Sequence, residues 1–171
     1  MASLSGFEEN IRMLHVELKE EQRKAVKELL SGKDVLAVLR TGFGKSRIYQ
    51  AFTTLKNMET DGQTVVFIIS PLTSIMNDQL KELKTLGYAA ANLSELSTVE
   101  LKECEFNILL SSAEEAMTIG FQNELKDNST KLHERLSCIV VDESHTVETW
   151  TGKRLVLFMG IVKKLIGICC A

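Results

Sequence analysis

The chain has 171 residues, of which 44% are hydrophobic and 25% charged, so it has the composition of one ordinary globular domain that can bury a core without disulfides. A formal net charge of −3 excludes nucleic-acid binding through bulk positive charge, so any such contact must come from a local patch and from backbone groups. The four cysteines form no C-x-x-C pair and no His stands at ligand spacing, which argues against a zinc site and for a reducing compartment.

The two ends of the chain carry no recognisable secretory or membrane segment. Residues 1–9 lack the basic start and the apolar run of a signal peptide. The longest apolar stretch, residues 155–162, is followed by Lys163 and Lys164 and is too short to span a bilayer. We therefore expect a soluble intracellular protein that makes no membrane contact.

The first part of the chain predicts a helix, a buried strand and a second helix. In residues 20–30 the apolar side chains fall on one helical face, and Ser31 with Gly32 supplies a C-terminal stop. Residues 35–39 are a continuous apolar run, as expected for a strand covered on both faces. A loop follows, and helical spacing of apolar residues resumes through residues 48–55.

This alternation repeats along the chain. Residues 65–69 predict a second buried strand, which Pro71 ends before a helix with its apolar face at residues 75–83. Further strand signals lie at residues 89–93, which are weaker, at 107–110, which precede an acidic helix, and at 138–142. The pattern predicts an α/β fold, a mostly parallel sheet flanked by helices, in which ligands bind at the carboxyl ends of the strands.

Residues 155–171 resemble nothing earlier in the chain. They are apolar and end in Cys169 and Cys170 before the last alanine. Two interpretations are open: a buried helix, or the end of a truncated product. We accordingly divide the chain into a domain of residues 1–154 and a divergent C-terminal tail of residues 155–171.

A glycine-rich loop joins the first strand to the helix after it. Its residues are Thr41, Gly42, Phe43, Gly44, Lys45 and Ser46. The glycines allow backbone amides to converge on an anion, to which the helix N-terminus adds positive partial charge. Lys45 would reach the β- and γ-phosphates of ATP, and the Ser46 hydroxyl would bind Mg²⁺. Leu39 replaces the first glycine of the usual pattern, and the alternative is a strand–helix turn without a ligand.

Two adjacent carboxylates, Asp142 and Glu143, close the last predicted strand. A carboxylate at a strand end beside the phosphate loop is placed to bind Mg²⁺, and we assign this role to Asp142. The neighbouring Glu143 can orient or deprotonate the attacking water. Acidic residues at turns are usually only solvated, so this pair gains its meaning from the loop. Together they predict nucleotide hydrolysis, with Lys45, Asp142 and Glu143 as the catalytic residues.

With these motifs the sequence resembles the superfamily-two helicases, and within them the RecQ family, over residues 15–150. Residues 18–22 resemble the family's motif zero, where a glutamine contacts the adenine edge. The resemblance implies that Gln22 reads adenine, that His15 stacks on it, and that Lys19 stands where the family has an arginine. The loop from Thr41 resembles motif I, although the family usually has a small residue at the position of Phe43.

Two further stretches carry the resemblance. Residues 70–79, which begin with Ser70, Pro71 and Leu72, resemble motif Ia, which lines the path of a single strand. The residues from Asp142 onward resemble motif II, in which His145 would link the γ-phosphate site to the nucleic acid. Trp150 falls where the family begins an aromatic-rich loop that senses bound DNA.

The match has departures. Ala113 and Glu114 replace the family's Pro-Glu, and the likeness is lost after residue 154. The second motor domain, with its arginine finger, and the zinc-binding region of the family have no counterpart in these residues. By this resemblance the chain is the first RecA-like domain of a motor.

Several of these residues also have ordinary structural interpretations. Gln22 could be a solvated helix residue, His15 a packed surface residue and Trp150 a core anchor. The lysines on the helices are expected to lie on solvated faces, and Cys138 is expected in the core.

The resemblance implies an ATP-dependent 3′-to-5′ DNA helicase that uses ATP and Mg²⁺ and acts on single-stranded or partly duplex DNA. It implies a nuclear or otherwise intracellular location and a role in DNA repair and recombination. Two alternatives stay open: an RNA helicase of the same superfamily, and a truncated non-catalytic module that only binds nucleotide. Residues 70–79 favour the DNA branch.

Overall fold

The computed structural model describes residues 17–70, 73–142 and 165–169. Its strands form one six-stranded sheet with the order β1-β6-β5-β2-β4-β3, in which every neighbouring pair is parallel. The strands are β1 (Val35–Val38), β2 (Val65–Ser70), β3 (Ala90–Asn92), β4 (Ile108–Ser112), β5 (Leu136–Val141) and β6 (Leu165–Cys169).

Helices connect the strands, as a parallel sheet requires. The described ones are α1 (Glu20–Leu30), α2 (Ser46–Glu59), α3 (Thr73–Thr85), α4 (Thr98–Glu103), α5 (Ala113–Ala116), α6 (Ile119–Lys126) and α7 (Lys131–Arg135). A short 3₁₀ turn, Leu93–Glu95, follows β3. The predicted α/β fold with its parallel sheet is confirmed.

The core lies on both faces of the sheet. Alternate residues of β2 point to opposite faces, so Val66 and Ile68 pack under α1, α2 and α3. Phe67 points the other way and packs against Phe121 of α6, with ring centroids 5.0 Å apart. All six residues of β2 are buried, which explains why its sequence is a continuous apolar run. Cys138 is fully buried in the core, as expected.

The expectation that the first strand is covered on both faces is wrong for β1 in the part of the chain that the structure describes. Ala37 is buried, but Leu36 is 70% exposed and Val38 is 53% exposed. The strand lies at the edge of the sheet, with β6 as its neighbour. The apolar run therefore predicted the strand correctly, but it did not predict how much of the strand is buried.

Residues 165–169 form strand β6, so the interpretation of this part of the tail as a helix is wrong. Strand β6 pairs with β1 on one side and with β5 on the other. It thus separates β1, which precedes the phosphate loop, from β5, which precedes Asp142. The division of the chain at residue 154 stays a prediction, although residues 165–169 belong to the same sheet as the rest.

The carboxyl ends of the strands meet at one edge of the sheet. Ile69 of β2 is paired with Val141 of β5, and the Asp142 amide donates to the Ile69 carbonyl over 2.9 Å. This bond aligns Asp142 with Ser70, the last residue of β2.

Among the described helices, none is long and apolar enough to cross a membrane.

Candidate nucleotide site

The phosphate loop runs from the end of β1 to the start of α2. Within it the Phe43 amide donates to the Arg40 carbonyl over 3.2 Å. Gly42 has φ of +77° and Gly44 has φ of +82°, a left-handed conformation in which a side chain is strained. The two glycines of the motif are therefore required by the turn itself.

Helix α2 begins directly after this turn, at Ser46. The Arg47 amide donates to the Gly44 carbonyl over 3.1 Å, and the Ile48 amide donates to the Lys45 carbonyl over 3.1 Å. The first turn of α2 contains no acidic residue that would repel an anion. A loop of this shape on a helix N-terminus is a general anion-binding arrangement.

Gln22, on the first turn of α1, is joined to the phosphate loop. Its Nε2 atom donates to the Phe43 carbonyl and to the Gly44 carbonyl, each over 2.9 Å. Its Oε1 atom accepts the Lys19 amide over 2.8 Å, so the side chain also closes the N-terminus of α1. Only 1% of Gln22 is exposed, which is incompatible with the solvated helix residue considered above.

Lys19 contacts the same part of the loop. Its ammonium group lies 4.1 Å from the centre of the Phe43 ring and donates to the Phe43 carbonyl over 3.3 Å. The Arg40 guanidinium lies 6.0 Å from the centre of the same Phe43 ring. A cation over an aromatic face within about 6 Å is attracted by the ring quadrupole. The structure thus brings together Lys19, Gln22, Phe43 and Gly44, which sequence reasoning had placed in two separate motifs.

Arg47 is a site residue that the sequence analysis missed. Its guanidinium donates to the Glu17 carbonyl over 3.4 Å and so joins α2 to the segment before α1. Arg47 also lines an open cleft of about 940 Å³, whose other lining residues include Gly44, Ser46, Tyr88 and Asn107. Its place directly after the Gly-Lys-Ser motif could have indicated Arg47 as a site residue. Its contact with Glu17 is not visible in the sequence.

Asp142 stands at the end of β5 and is partly buried. The Gln79 side chain, from α3, lies with its Nε2 atom 3.5 Å from Oδ2 of Asp142. This contact joins the predicted metal carboxylate to the predicted motif Ia, residues 70–79, whose second part lies in α3. Gln79 was noted in the sequence only as the last residue of that motif.

Tyr49 interacts with both predicted magnesium ligands. Burial raises the pKa of its phenol, the negative charge of Asp142 raises it further, and a hydrogen bond with Ser46 acts in the opposite direction. Both Ser46 and Asp142 therefore lie close to a ring that is 2% exposed. A hydroxyl and a carboxylate are the hard oxygen ligands that Mg²⁺ prefers, so the residues present fit this ion.

The predicted nucleic-acid residues are only partly described. Ser70 is 1% exposed, and its buried hydroxyl has no hydrogen-bond partner among the described residues. Pro71, Leu72, His145 and Trp150 lie outside the described residues, as do His15 and Glu143 from the nucleotide site. Their assigned roles stay predictions.

The fold and the loop define this chain as a RecA-like domain with a phosphate loop. Its sequence matches the DEAD/DEAH box helicase family over residues 19–167. The chain therefore belongs to the DEAD/DEAH box helicase family.

Curated relatives include RecQ-type helicases, which confirms the resemblance described above. The chain is 35% identical over 136 residues to the ATP-dependent helicase SGS1 of Saccharomyces cerevisiae, covering 75% of this chain and 9% of that protein. It is 34% identical to the probable ATP-dependent DNA helicase RecS of Bacillus subtilis, covering 77% of this chain and 26% of that protein. The chain thus spans at most about a quarter of the length of these two relatives.

Solved structures with a similar fold include a DUF1998 helicase, MrfA, bound to DNA and AMPPNP. It superimposes with a TM-score of 0.68 at 16% identity, covering 96% of this chain and 25% of that one. The SWI2/SNF2 ATPase core of Sulfolobus solfataricus in complex with dsDNA gives a TM-score of 0.66 at 19% identity, covering 90% and 32% of the two chains. At these identities the likeness concerns the fold.

Proposed function

We propose that this chain is the first motor domain of an ATP-dependent DNA helicase and that it binds ATP with Mg²⁺ at the phosphate loop. The observation that carries this proposal is the loop itself, with its two left-handed glycines between β1 and α2. Membership of a helicase family supports it, as do relatives whose names describe ATP-dependent DNA helicases.

The phosphates of ATP would lie on the loop amides and the N-terminus of α2. Lys45 would contact the β- and γ-phosphates, while the backbone of Thr41, Gly42 and Gly44 would surround them. Ser46 and Asp142 would hold Mg²⁺, which when bound offsets charge that develops on the phosphates. Glu143, next in sequence to Asp142, would orient the attacking water and accept its proton.

The base would lie near Gln22. A side-chain amide both donates and accepts, which matches the paired groups on the adenine edge. The hydrogen bonds between Gln22 and the loop carbonyls mean that adenine recognition exchanges one set of bonds for another. His15 would provide the stacking surface, and Lys19 would add positive charge at the same side of the loop.

The partner would be single-stranded or partly duplex DNA, contacted through the segment from Ser70 to Leu72 and coupled to the nucleotide through His145 and Trp150. A second RecA-like domain would complete the motor, since an arginine from such a partner typically stabilises charge in the transition state. Movement from 3′ to 5′, a nuclear location and a role in DNA repair and recombination follow from the RecQ resemblance.

Nucleotide binding and the nucleic-acid dependence of hydrolysis test this proposal. The 171-residue chain should bind ATP-Mg²⁺, and any ATPase activity should rise more with single-stranded DNA than with single-stranded RNA of the same length. Stimulation by RNA alone would support the RNA-helicase alternative. Binding without hydrolysis, even when the second motor domain is supplied, would support a non-catalytic nucleotide module.

A further inference from the structure

The phosphate loop has an aromatic residue at its centre, and this residue is engaged by the start of α1. Phe43 uses both its ring and its carbonyl oxygen. The ring lies 4.1 Å from the Lys19 ammonium, and the carbonyl accepts from Lys19 over 3.3 Å and from Gln22 over 2.9 Å. Gln22 from α1 and Lys19 from its N-cap therefore contact the same residue of the loop.

The hydrogen-bonding capacity of Gln22 limits what it can do at once. An amide nitrogen has two N–H groups, and both are used by the carbonyls of Phe43 and Gly44. A hydrogen bond from this nitrogen to a nucleotide base requires that at least one of these bonds is broken. Without another contact, the loop would lose its connection to α1 at the moment when the nucleotide arrives.

Lys19 supplies such a contact. Its ammonium group bonds to the same carbonyl as Gln22 and is held there by the Phe43 ring. The contact of Lys19 with Gln22 is at the main chain, where the Lys19 amide donates to Gln22 Oε1. Its position at the N-cap of α1 is in turn fixed by the helix, since the Arg23 amide donates to the Lys19 carbonyl over 2.9 Å. The pair of Lys19 and Phe43 can therefore remain when Gln22 turns to the base.

We propose that Phe43 is a positioning residue for nucleotide binding: its ring fixes Lys19, and this pair keeps the phosphate loop on α1 while Gln22 contacts the base. The inference rests on the proposed function, because it presumes that nucleotide phosphates bind the loop. It assigns a role to the position at which this chain differs from the small residue usual in the family. Because the pair is needed when Gln22 leaves the loop for a base that it recognises, the effect should be largest for ATP.

This role is tested by substitutions that distinguish the aromatic face of Phe43 from the size of its side chain. Phe43→Leu keeps an apolar side chain and removes the aromatic face, whereas Phe43→Tyr keeps the face. Lys19→Met keeps the length of the side chain and removes the charge. Each variant, with the double variant Phe43→Leu/Lys19→Met, is titrated with ATP, GTP and inorganic tripolyphosphate, all with Mg²⁺.

Phe43→Leu and Lys19→Met should each weaken binding of ATP by roughly 2- to 5-fold, the size expected for a cation–aromatic pair near the surface. Binding of GTP and of tripolyphosphate should change less, because Gln22 then keeps its hydrogen bonds to the loop. The double variant should bind about as well as either single variant, because the two changes remove one interaction. Phe43→Tyr should bind like the wild type. Circular dichroism and the thermal midpoint of each variant establish that the domain is folded.

Three outcomes would overturn the inference. Additive losses in the double variant would mean that the two side chains act separately. Equal losses for all three ligands would mean that the pair acts on the loop whether or not Gln22 contacts a base. Equal losses in Phe43→Leu and Phe43→Tyr would mean that the aromatic face is not what matters. A wild-type chain that binds none of the three ligands would refute the proposed function as well, which distinguishes the two failures.

Discussion

The side-chain nitrogen of Gln22 lies 2.9 Å from the carbonyl oxygen of Gly44, and a Cβ atom added at Gly44 would lie 3.1 Å from that same nitrogen. The segment that resembles motif zero and the phosphate loop are thus packed so closely that a methyl group at Gly44 would require Gln22 to shift by a few tenths of an ångström. The glycine of the Gly-Lys-Ser motif serves two purposes here: a left-handed turn and the close approach of Gln22.

Gly44→Ala should therefore damage the site more than backbone strain alone explains. Alanine at a positive φ costs about 1–2 kcal/mol of stability, and at this position it also displaces Gln22. Gly62→Ala is the matched control, because Gly62 has a φ of +81° and no atom within 4 Å of an added Cβ. Both variants should lose stability in urea unfolding, Gly44→Ala at least as much as Gly62→Ala, but only Gly44→Ala should lose ATP affinity. Equal ATP binding by the two variants would contradict a role for this contact.

Gln22→Ala should narrow the preference for ATP over GTP. The amide provides the donor and acceptor that match adenine, and its loss removes the basis for discrimination. Competition between ATP and GTP for the wild-type and variant domains measures this preference directly. A wild-type domain that binds both nucleotides equally would show that Gln22 serves only the loop and the N-terminus of α1.

Asp142→Asn and Glu143→Gln should have different consequences. A metal ligand acts in the ground state, so Asp142→Asn should weaken ATP binding only when Mg²⁺ is present. A residue that orients water acts in the transition state, so Glu143→Gln should leave binding unchanged and slow hydrolysis. Titration with and without Mg²⁺, together with single-turnover hydrolysis, separates the two. Identical behaviour of the variants in both assays would refute this division of roles.

The 171 residues alone should not unwind a duplex. Unwinding in the proposed motor requires two domains that close on ATP and open after hydrolysis, and these residues supply one of them. Their net charge of −3 also predicts weak DNA binding. A strand-displacement assay on a duplex with a 3′ overhang measures this. Efficient ATP-dependent unwinding by the monomer would contradict the assignment as a single motor domain.

Much of the fold could be predicted because its strands are short apolar runs between amphipathic helices. The exposure of Leu36 and the strand at Leu165–Cys169 could not. An apolar run does not reveal whether it lies at the edge or the centre of a sheet, and five apolar residues fit a helix as well as a strand. Both properties depend on which strands become neighbours.

The residue types at the candidate site were visible in the sequence, but their contacts were not. The Gly-Lys-Ser motif indicates a phosphate loop, because its backbone requirements leave a local signature. The hydrogen bonds of Gln22 cross 21 and 22 residues of sequence, and the contact of Gln79 with Asp142 crosses 63. Such contacts leave no local pattern and arise only when the sheet brings its strand ends together.

Titration of the wild-type and Lys45→Ala domains with ATP-Mg²⁺ tests the central claim most directly. A charge-assisted hydrogen bond is worth about 1.5–3 kcal/mol, so Lys45→Ala should weaken binding by roughly 10- to 100-fold. Lys33→Ala is a suitable control, because Lys33 forms an exposed ion pair with Glu28. The Lys33→Ala domain should bind ATP as the wild-type domain does. An unchanged ATP affinity in Lys45→Ala, in a domain that binds ATP, would contradict nucleotide binding at the phosphate loop.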